Sequence, residues 1–403
     1  MVKKIEIKPA PKEVKIENPD LEKNLLRKIF EKPAPYLRVI KEREGFEEAK
    51  DLSNKLKNEF EKLIVIGIGG SILGTQAIVD FCKDKISNLF FLDNIDSRKI
   101  LKAKKLLKKG NYGICIISKS GKTLETNLLF SCLIEDLKNI YKEEWNKKVV
   151  CITSNKENIL SQWAKEQKTN LIFMPEDLSG RFSVFSPVGI FPLAFEKIDV
   201  NKLISGAQDF IKTINYEKQK NILSSTSQIL LKNPFKALVI FTYGSYLFNF
   251  GRWFQQLWAE SLGKDNKFGQ IPLVAIGTQD QHSILQMISD VKESCVTWIW
   301  RGIEKKKIFP DLSFIKGELK GIPLNEYLRL SAEGVFEALK EKGAEVLLLD
   351  FKDRKEHTIG KVLCFLMMLC HLASLKIGVD TFNQPAVELS KNITFIKLKN
   401  KLK

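Results

Sequence analysis

The chain has 403 residues, and its 65 basic and 48 acidic residues give a formal net charge of +17. At about 150 residues per domain, this length predicts two or three domains. Hydrophobic residues make up 44% of the chain, with 23 Gly and 13 Pro, which excludes a fibrous, low-complexity or wholly disordered chain.

The first 44 residues are polar and carry prolines at positions 9, 11, 19, 33 and 35. Because proline fixes φ and lacks a donor N–H, this stretch predicts an extended N-terminal arm over residues 1–44, followed by a short helix. The first 20 residues contain no apolar run of the kind found in a signal peptide.

Short apolar runs alternate with helical patterns over residues 45–200, the predicted first α/β domain. Strands are expected at residues 62–68, 89–92, 114–117, 149–153 and 171–173, with helices at 72–82 and 124–140 among others. Alternation of buried strands and helices indicates a doubly wound parallel sheet covered on both faces.

A charged helical connector is predicted over residues 201–225, followed by a second α/β domain over residues 226–403 with a C-terminal helix. Its expected strands are 237–241, 272–276, 295–300 and 346–349, and its expected helices are 245–262, 283–289, 324–340 and 359–377. Ligands of doubly wound sheets bind beyond the carboxyl ends of the strands, so the loops there are the first candidates for a site.

The remaining composition argues for a soluble cytoplasmic protein with no metal or other cofactor. The seven cysteines include no C-x-x-C pair, and the three histidines form no H-x-H or H-E-x-x-H motif. The most apolar stretch, residues 362–375, is too short to span a membrane and predicts a buried core helix. The basic residues are dispersed among acids, which disfavours nucleic acid and suits small anionic substrates.

Two loops could hold a phosphate. The first, GIGGSILG over residues 67–74, follows a strand and opens a helix, but Ile72 breaks the dinucleotide fingerprint. The second, SKSGKTLET over residues 118–126, ends like a P-loop, but Ile116 stands where a Walker A motif needs Gly. Its hydroxyl and ammonium groups predict a monophosphate cradle, a capping box from Ser120 or Thr123, or both together.

A carboxylate near the end of a helix is the candidate for the chemistry. In the helix within residues 243–264, Gln256 and Glu260 are four apart and share one edge. Glu260 could be a general base, an exposed acid or the partner of Lys264 in a salt bridge. His282 lies in a loop at a strand end, whereas His357 and His371 are typical of a surface and a core histidine. On pattern alone, Arg181 and Lys391 are ordinary charged residues.

Seven segments taken together resemble the phosphoglucose isomerase (glucose-6-phosphate isomerase) family, in the family's order over residues 67–391. They are GIGGSILG, FLDNID, SKSGKTLET, GRFSVFSPVG, QQLWAESLGK, GTQDQHSILQ and FNQPAVELSK. The resemblance implies two doubly wound sugar-isomerase domains in a homodimer whose active sites lie between subunits. It also implies glucose 6-phosphate and fructose 6-phosphate as substrates, in glycolysis and gluconeogenesis.

The same resemblance implies residue roles. Glu260 matches the base, Arg181 the active-site arginine, His282 a histidine donated by the neighbouring subunit, and Lys391 the lysine that ends the last segment. Ring opening is expected from His282 and Lys391, and Glu260 is expected to move the proton between C2 and C1 through a cis-enediolate. The remaining matches are phosphate or substrate positions at Ser71, Ser118, Lys119, Ser120, Thr123, Gly180, Gln256 and Gln384, with Glu125 expected to orient His282.

The sequence departs from the family pattern in two places. Ser120-Gly121-Lys122 replaces a more usual T-F-T, which keeps a hydroxyl and leaves Lys122 either an added charge or a solvent-facing residue. Asn383, Pro385-Ala386 and Ser390 also differ from common family residues, which affects the backbone near Lys391 more than the chemistry. Activity on mannose 6-phosphate, or a sugar-phosphate-binding regulator without activity, remain the alternatives.

Overall fold

The computed structural model describes residues 6–8, 16–31, 33–214, 217–232, 236–291, 293–304, 306–311 and 321–401, with the side chains of 6–8 and 217–219 excepted. The chain begins with strand β1 (Glu6–Lys8) and helices α1 (Pro19–Glu31), α2 (Pro35–Glu42) and α3 (Phe46–Leu56). The predicted arm is therefore a short strand and two helices, although residues 1–5, 9–15 and 32 of it lie outside the described residues.

The first sheet is parallel, as predicted, with strand order β3-β2-β4-β5-β6. Strands such as YGICII are buried along their whole length, because helices cover both faces. The elements are β2 (Lys62–Ile66), α4 (Leu73–Cys82), β3 (Leu89–Leu92), α5 (Ser97–Lys109), β4 (Tyr112–Ile117), α6 (Leu124–Tyr141), β5 (Val149–Ser154), α7 (Ile159–Glu166), β6 (Asn170–Met174) and α8 (Pro187–Phe195).

The predicted connector consists of two helices, α9 (Val200–Thr213) and α10 (Glu217–Leu230). The second sheet follows with β7 (Ala237–Tyr243), α11 (Phe248–Leu262), β8 (Ile271–Gly277), α12 (Leu285–Asp290), β9 (Cys295–Arg301), α13 (Leu324–Glu341), β10 (Val346–Asp350), α14 (Glu356–Ile377) and α15 (Val387–Lys401).

The second sheet has the order β1-β10-β9-β7-β8. Strands β7 to β10 are parallel, and β1 pairs antiparallel with β10 through Ile7 and Leu349. The arm therefore contributes an edge strand to the second sheet, which the sequence patterns did not predict. The fold class is confirmed as two parallel sheets with helices on both sides, and the domain boundaries at 45, 201 and 226 stay a prediction.

Helix α14 is the centre of the core. It is apolar enough by composition to span a membrane, but 89% of its most apolar window is buried inside the protein. Helix α9 packs against it closely, since a Cβ on Gly206 would lie 2.0 Å from the carbonyl oxygen of His357, and one on Gly360 would lie 1.9 Å from that of Leu203. The interpretation of residues 362–375 as a core helix is confirmed, and α9 is part of the core.

His371 on α14 is a core histidine, as predicted, with 8% of its surface exposed. Its Nδ1 lies 3.4 Å from the hydroxyl of Tyr36 on α2. Burial lowers the pKa of His371 to about 4, from an ordinary value of 6.5.

We expect this histidine to make the fold less stable in acid. Between pH 6.5 and about 4, the unfolded chain binds a proton that the folded chain does not, so the free energy of unfolding falls as the pH falls through that window. Unfolding by urea at pH 7 and pH 4.5 measures the loss, for which His371 supplies at most about 3 kcal/mol. In His371→Gln the loss between the two pH values should be smaller, and an equal loss would contradict the assignment.

Candidate active site

Glu260 lies in the last turn of α11 and is bound through both of its oxygens. The apolar face of that helix, including Trp253 and Trp258, is buried, while Gln256 and Glu260 lie on a half-exposed edge. Gln256 Nε2 donates to Glu260 Oε1 (2.9 Å), and Arg181 Nη1 donates to Oε2 (3.2 Å). With 33% of its side chain exposed, Glu260 is held in one orientation and is still open to a ligand.

Arg181 binds an acceptor with each of its five N–H groups. Besides Glu260, the acceptors are Ser261 Oγ at 3.0 Å, Gln384 Oε1 at 2.9 Å, Thr381 O at 2.5 Å and Asn383 O at 3.1 Å. Its side chain is 1% exposed. Burial lowers the pKa of Arg181, and the Glu260 carboxylate opposes that shift. A fully bonded buried guanidinium is rigid, so it fixes Glu260 and Gln384 relative to each other.

The partner of Glu260 is therefore Arg181, and the predicted alternative of a salt bridge to Lys264 is wrong. The Lys264 ammonium instead donates to the carbonyl oxygen of Asp380. An ordinary surface role for Arg181 is likewise excluded by its burial. The sequence patterns missed Ser261 and the carbonyls of residues 381 and 383, although Ser261 stands directly after Glu260 in the QLWAESLGK segment.

The first glycine loop lies directly against this cluster. Gly69–Ser71 and Gly180–Phe185 form two 3₁₀ turns whose backbones touch, because a Cβ on Gly70 would lie 2.3 Å from the carbonyl carbon of Gly180. A Cβ on Gly69 would lie 2.9 Å from Gln256 Nε2. Glycine is required at position 70 for this approach, which brings Ser71 and Gly180 to the Arg181 site.

The second loop joins β4 to α6. Ser118 is buried and donates through Oγ to Thr123 Oγ1 (3.0 Å), and Ser120 Oγ accepts from the N–H of Lys122 (3.2 Å). Thr123 is the N-cap of α6, but its side chain makes no capping bond, so the predicted capping box is wrong. The helix N-terminus therefore keeps N–H groups that an anion can accept from.

Lys119 is the half-buried cation of this loop. Burial lowers its pKa, while Asp177 and Glu176 act in the opposite direction. Lys122 is exposed, so of the two alternatives predicted for it, the solvent-facing residue is the one observed. Since a Cβ on Gly67 would lie 3.4 Å from the carbonyl oxygen of Ile117, the two loops start side by side.

His282, Lys391 and Glu125, all within the described part of the chain, form no hydrogen bond or ion pair with Glu260 or Arg181. His282 is exposed at the end of a 3₁₀ turn, Gln279–His282, that follows β8. Lys391 is exposed on α15, where its Nζ donates to Glu388 Oε1 (2.7 Å). Glu125 is exposed in the first turn of α6.

The topology explains the separation of His282 from Glu260. Helix α11 connects the carboxyl end of β7 to the amino end of β8, so Glu260 near its C-terminus lies at the amino edge of the second sheet. His282 follows the carboxyl end of β8, which has 7 residues. At about 3.3 Å per residue, the length of that strand alone separates the two by roughly 20 Å.

Acid–base and anion-binding groups therefore dominate the candidate site. Among the residues that the structure describes, no group of three or more His, Cys, Asp or Glu side chains is placed to hold a metal ion. The chemistry available from the residues present is proton transfer by a carboxylate beside a fixed cation, with an anion cradle in the adjoining loops.

Comparisons with known proteins identify the family of this chain. The model of the family described as "Phosphoglucose isomerase" matches residues 46–294. A glucose-6-phosphate isomerase of Methanocaldococcus jannaschii is 32% identical over 352 residues, which are 86% of each chain. The crystal structure of a hypothetical protein from Thermus thermophilus is 28% identical, with a TM-score of 0.85 over 94% of both chains.

A glucose-6-phosphate isomerase from Chlamydia trachomatis has a TM-score of 0.75 at 18% identity, covering 90% of this chain and 74% of that one, and shows the shared fold. The residues matched by the family model include the loops 67–74 and 118–126, Arg181 and Glu260. The match to the relative from M. jannaschii covers most of the chain. On these grounds the chain belongs to the phosphoglucose isomerase family.

Proposed function

We propose that this chain interconverts glucose 6-phosphate and fructose 6-phosphate, as an aldose–ketose isomerase of glycolysis and gluconeogenesis in the cytoplasm. The observation that carries the proposal is the Glu260 carboxylate, held by Gln256 and by the buried Arg181 next to two phosphate-type loops. The relatives' function supports the substrate pair, and the geometry supports the residue roles.

The phosphate binds at the carboxyl edge of the first sheet. Ser71, Ser118, Ser120 and Thr123 offer hydroxyls, α6 offers its free N-terminal N–H groups, and Lys119 offers a charge. Binding of this distant group fixes the sugar, and that fixed position lowers the entropy cost of bringing C1 and C2 to the base.

Glu260 takes the proton from C2 and returns it to C1 through a cis-enediolate. Its Oε2 accepts from Arg181 Nη1 at 3.2 Å, the longest of the five bonds of Arg181. A developing oxyanion of the substrate can replace Glu260 on Nη1, which stabilises the anion and releases Oε2 for proton transfer. Gln256 meanwhile keeps its bond to Oε1, so the carboxylate does not lose its orientation.

Ring opening requires an acid and a base besides Glu260, and His282 and Lys391 are proposed for it, with Glu125 orienting the histidine. Since His282 and Glu260 lie at opposite edges of the second sheet, we propose that His282 serves the site of a second copy. This separation supports the proposal of a homodimer with shared active sites.

The C-terminal helix supports the dimer. None of the residues of α15 is buried within the described chain, although the helix carries six exposed apolar side chains: Val387, Leu389, Ile393, Phe395, Ile396 and Leu398. Apolar exposure of this extent around a helix is typical of a helix that another protein surface covers. Packing of a second copy there would also fix Lys391.

Replacement of Glu260 tests the base. In Glu260→Gln the bond to Gln256 can be kept, but the proton acceptor is lost, so kcat should fall by at least about 100-fold. The rate is measured as glucose 6-phosphate formed from fructose 6-phosphate in a coupled assay with EDTA, which also tests independence of a metal. Competitive inhibition by inorganic phosphate should persist as the control for folding, and a near-wild-type rate would refute the assignment.

Two lysines of the second loop form a matched pair for the phosphate cradle. Lys119→Ala removes the half-buried cation and should raise KM by about 10-fold or more, because a hydrogen bond to a charged group is lost. Lys122→Ala removes the same charge from an exposed side chain of the same loop, and KM should change by less than about twofold. Equal effects on KM in both variants would mean that the overall positive charge of the loop, and no specific contact of Lys119, attracts the substrate.

Mixing of two inactive variants tests the shared site. His282→Ala and Glu260→Gln, unfolded and refolded together in equal amounts, should regain about a quarter of the wild-type rate, because half of the random dimers are hybrids with one intact site. Arg181→Gln mixed with Glu260→Gln is the control, since both residues lie in one chain and no intact site can form. Failure of the first mixture to regain activity would place His282 outside the site of the second copy.

A further inference from the structure

Lys264 is a buried lysine that the proposed mechanism does not use. It lies two residues after the end of α11 and four residues after Glu260, and 8% of its surface is exposed. Its ammonium donates to the carbonyl oxygen of Asp380, the first residue of the segment 380–384. This segment joins α14 to α15 and carries Gln384, which binds Arg181.

Two cations bind the backbone carbonyls of segment 380–384. Arg181 Nη2 donates to the carbonyls of Thr381 and Asn383, and Lys264 donates to that of Asp380. The ring of Phe382 packs against Phe182, with centroids 5.3 Å apart. The hydroxyl of Thr381 also lies 2.5 Å from Ser374 Oγ on α14. Because the segment belongs to neither a helix nor a sheet, such side-chain contacts hold it, and with it Gln384, in place.

The arrangement places two cations close together in a buried region. The groups that act on Lys264 are Arg181, Asp380, Asp265 and Glu260. Burial, followed by the charge of Arg181, lowers the pKa of Lys264 to about 8. A neutral donor would satisfy the same carbonyl without repelling Arg181, but a charged donor makes the stronger hydrogen bond.

We propose that Lys264 is a positioning residue, which holds segment 380–384 against α11 so that Gln384 and Arg181 keep the Glu260 carboxylate in its reactive orientation. The proposal rests on the proposed function of Glu260 as the base. Lys264 acts on the proton-transfer step. It leaves the phosphate cradle unaffected, because that cradle lies in the loops after β2 and β4.

Lys267 supplies a matched control. Its Nζ donates to the carbonyl oxygen of Gly378 (2.8 Å), two residues before Asp380, but its side chain is exposed. Like Lys264, Lys267 donates from its ammonium to a backbone carbonyl between α14 and α15. Its acceptor, Gly378, lies outside segment 380–384, which binds Arg181. A merely structural role of such a lysine would appear equally in both variants.

The experiment compares Lys264→Met with Lys267→Met. For Lys264→Met we expect kcat to fall by about 10-fold, with KM and the inhibition constant of inorganic phosphate within about twofold of wild type. Lys267→Met should retain kcat within about twofold. An unchanged kcat in Lys264→Met, or an equal loss in Lys267→Met, would overturn the proposal.

The pH profile gives a second readout, which remains available if Lys264→Met does not fold. As the pH rises through about 8, Lys264 loses its proton and its hydrogen bond weakens, so kcat of the wild type should decline there. In Lys264→Arg the side chain stays protonated, and the decline should move to higher pH. An unmoved decline in Lys264→Arg would contradict the role of Lys264.

The two proposals fail in different ways. If Glu260→Gln keeps a near-wild-type rate, the base is misassigned, whatever Lys264→Met does. If Glu260→Gln is inactive while Lys264→Met has normal kcat, the base stands and the positioning role of Lys264 is refuted.

Discussion

The site depends on one buried cation, Arg181. A guanidinium with 1% of its side chain exposed is stable only if its charge and all its donors are satisfied. Here two of the five acceptors, Glu260 and Ser261, come from α11, and three come from segment 380–384. Removing any acceptor would leave part of the guanidinium unpaired in the interior. The requirement that Arg181 be satisfied therefore fixes the relative positions of the elements that carry Glu260 and Gln384.

The location of that cation follows from the directions of the elements. Helices α11 and α14 both run back from the carboxyl edge of the second sheet, so their C-termini lie at its amino edge. That edge meets the carboxyl edge of the first sheet, from which the turn of Arg181 and both glycine loops extend. The site thus combines the proposed phosphate cradle from one sheet with the proposed base, Glu260, at a helix end of the other.

The sequence predicted the buried strands well, because their centres are continuous apolar runs, such as LIVI in β2 and VVCI in β5. It could not predict β1, since a three-residue edge strand far from β10 has no periodicity to detect. From pattern alone it left Glu260 as one of three alternatives and Arg181 as an ordinary residue, and it assigned both to the site only through the family resemblance. Their bond joins residues 79 positions apart, which no local pattern encodes.

The two sheets differ at the point where ligands of such folds bind. In each sheet the strand order reverses between the first strand and its neighbour, β2 with β4 and β7 with β9. After β2 this crevice has glycines and Ser71, whereas after β7 it has Tyr246. The hydroxyl of Tyr246 donates to Ile303 O (2.9 Å). A Cβ on Gly302 would lie only 2.0 Å from that hydroxyl. The tyrosine fills the second crevice. The proposed phosphate cradle therefore lies at the first crevice, while the exposed His282 follows the carboxyl end of β8 in the second sheet.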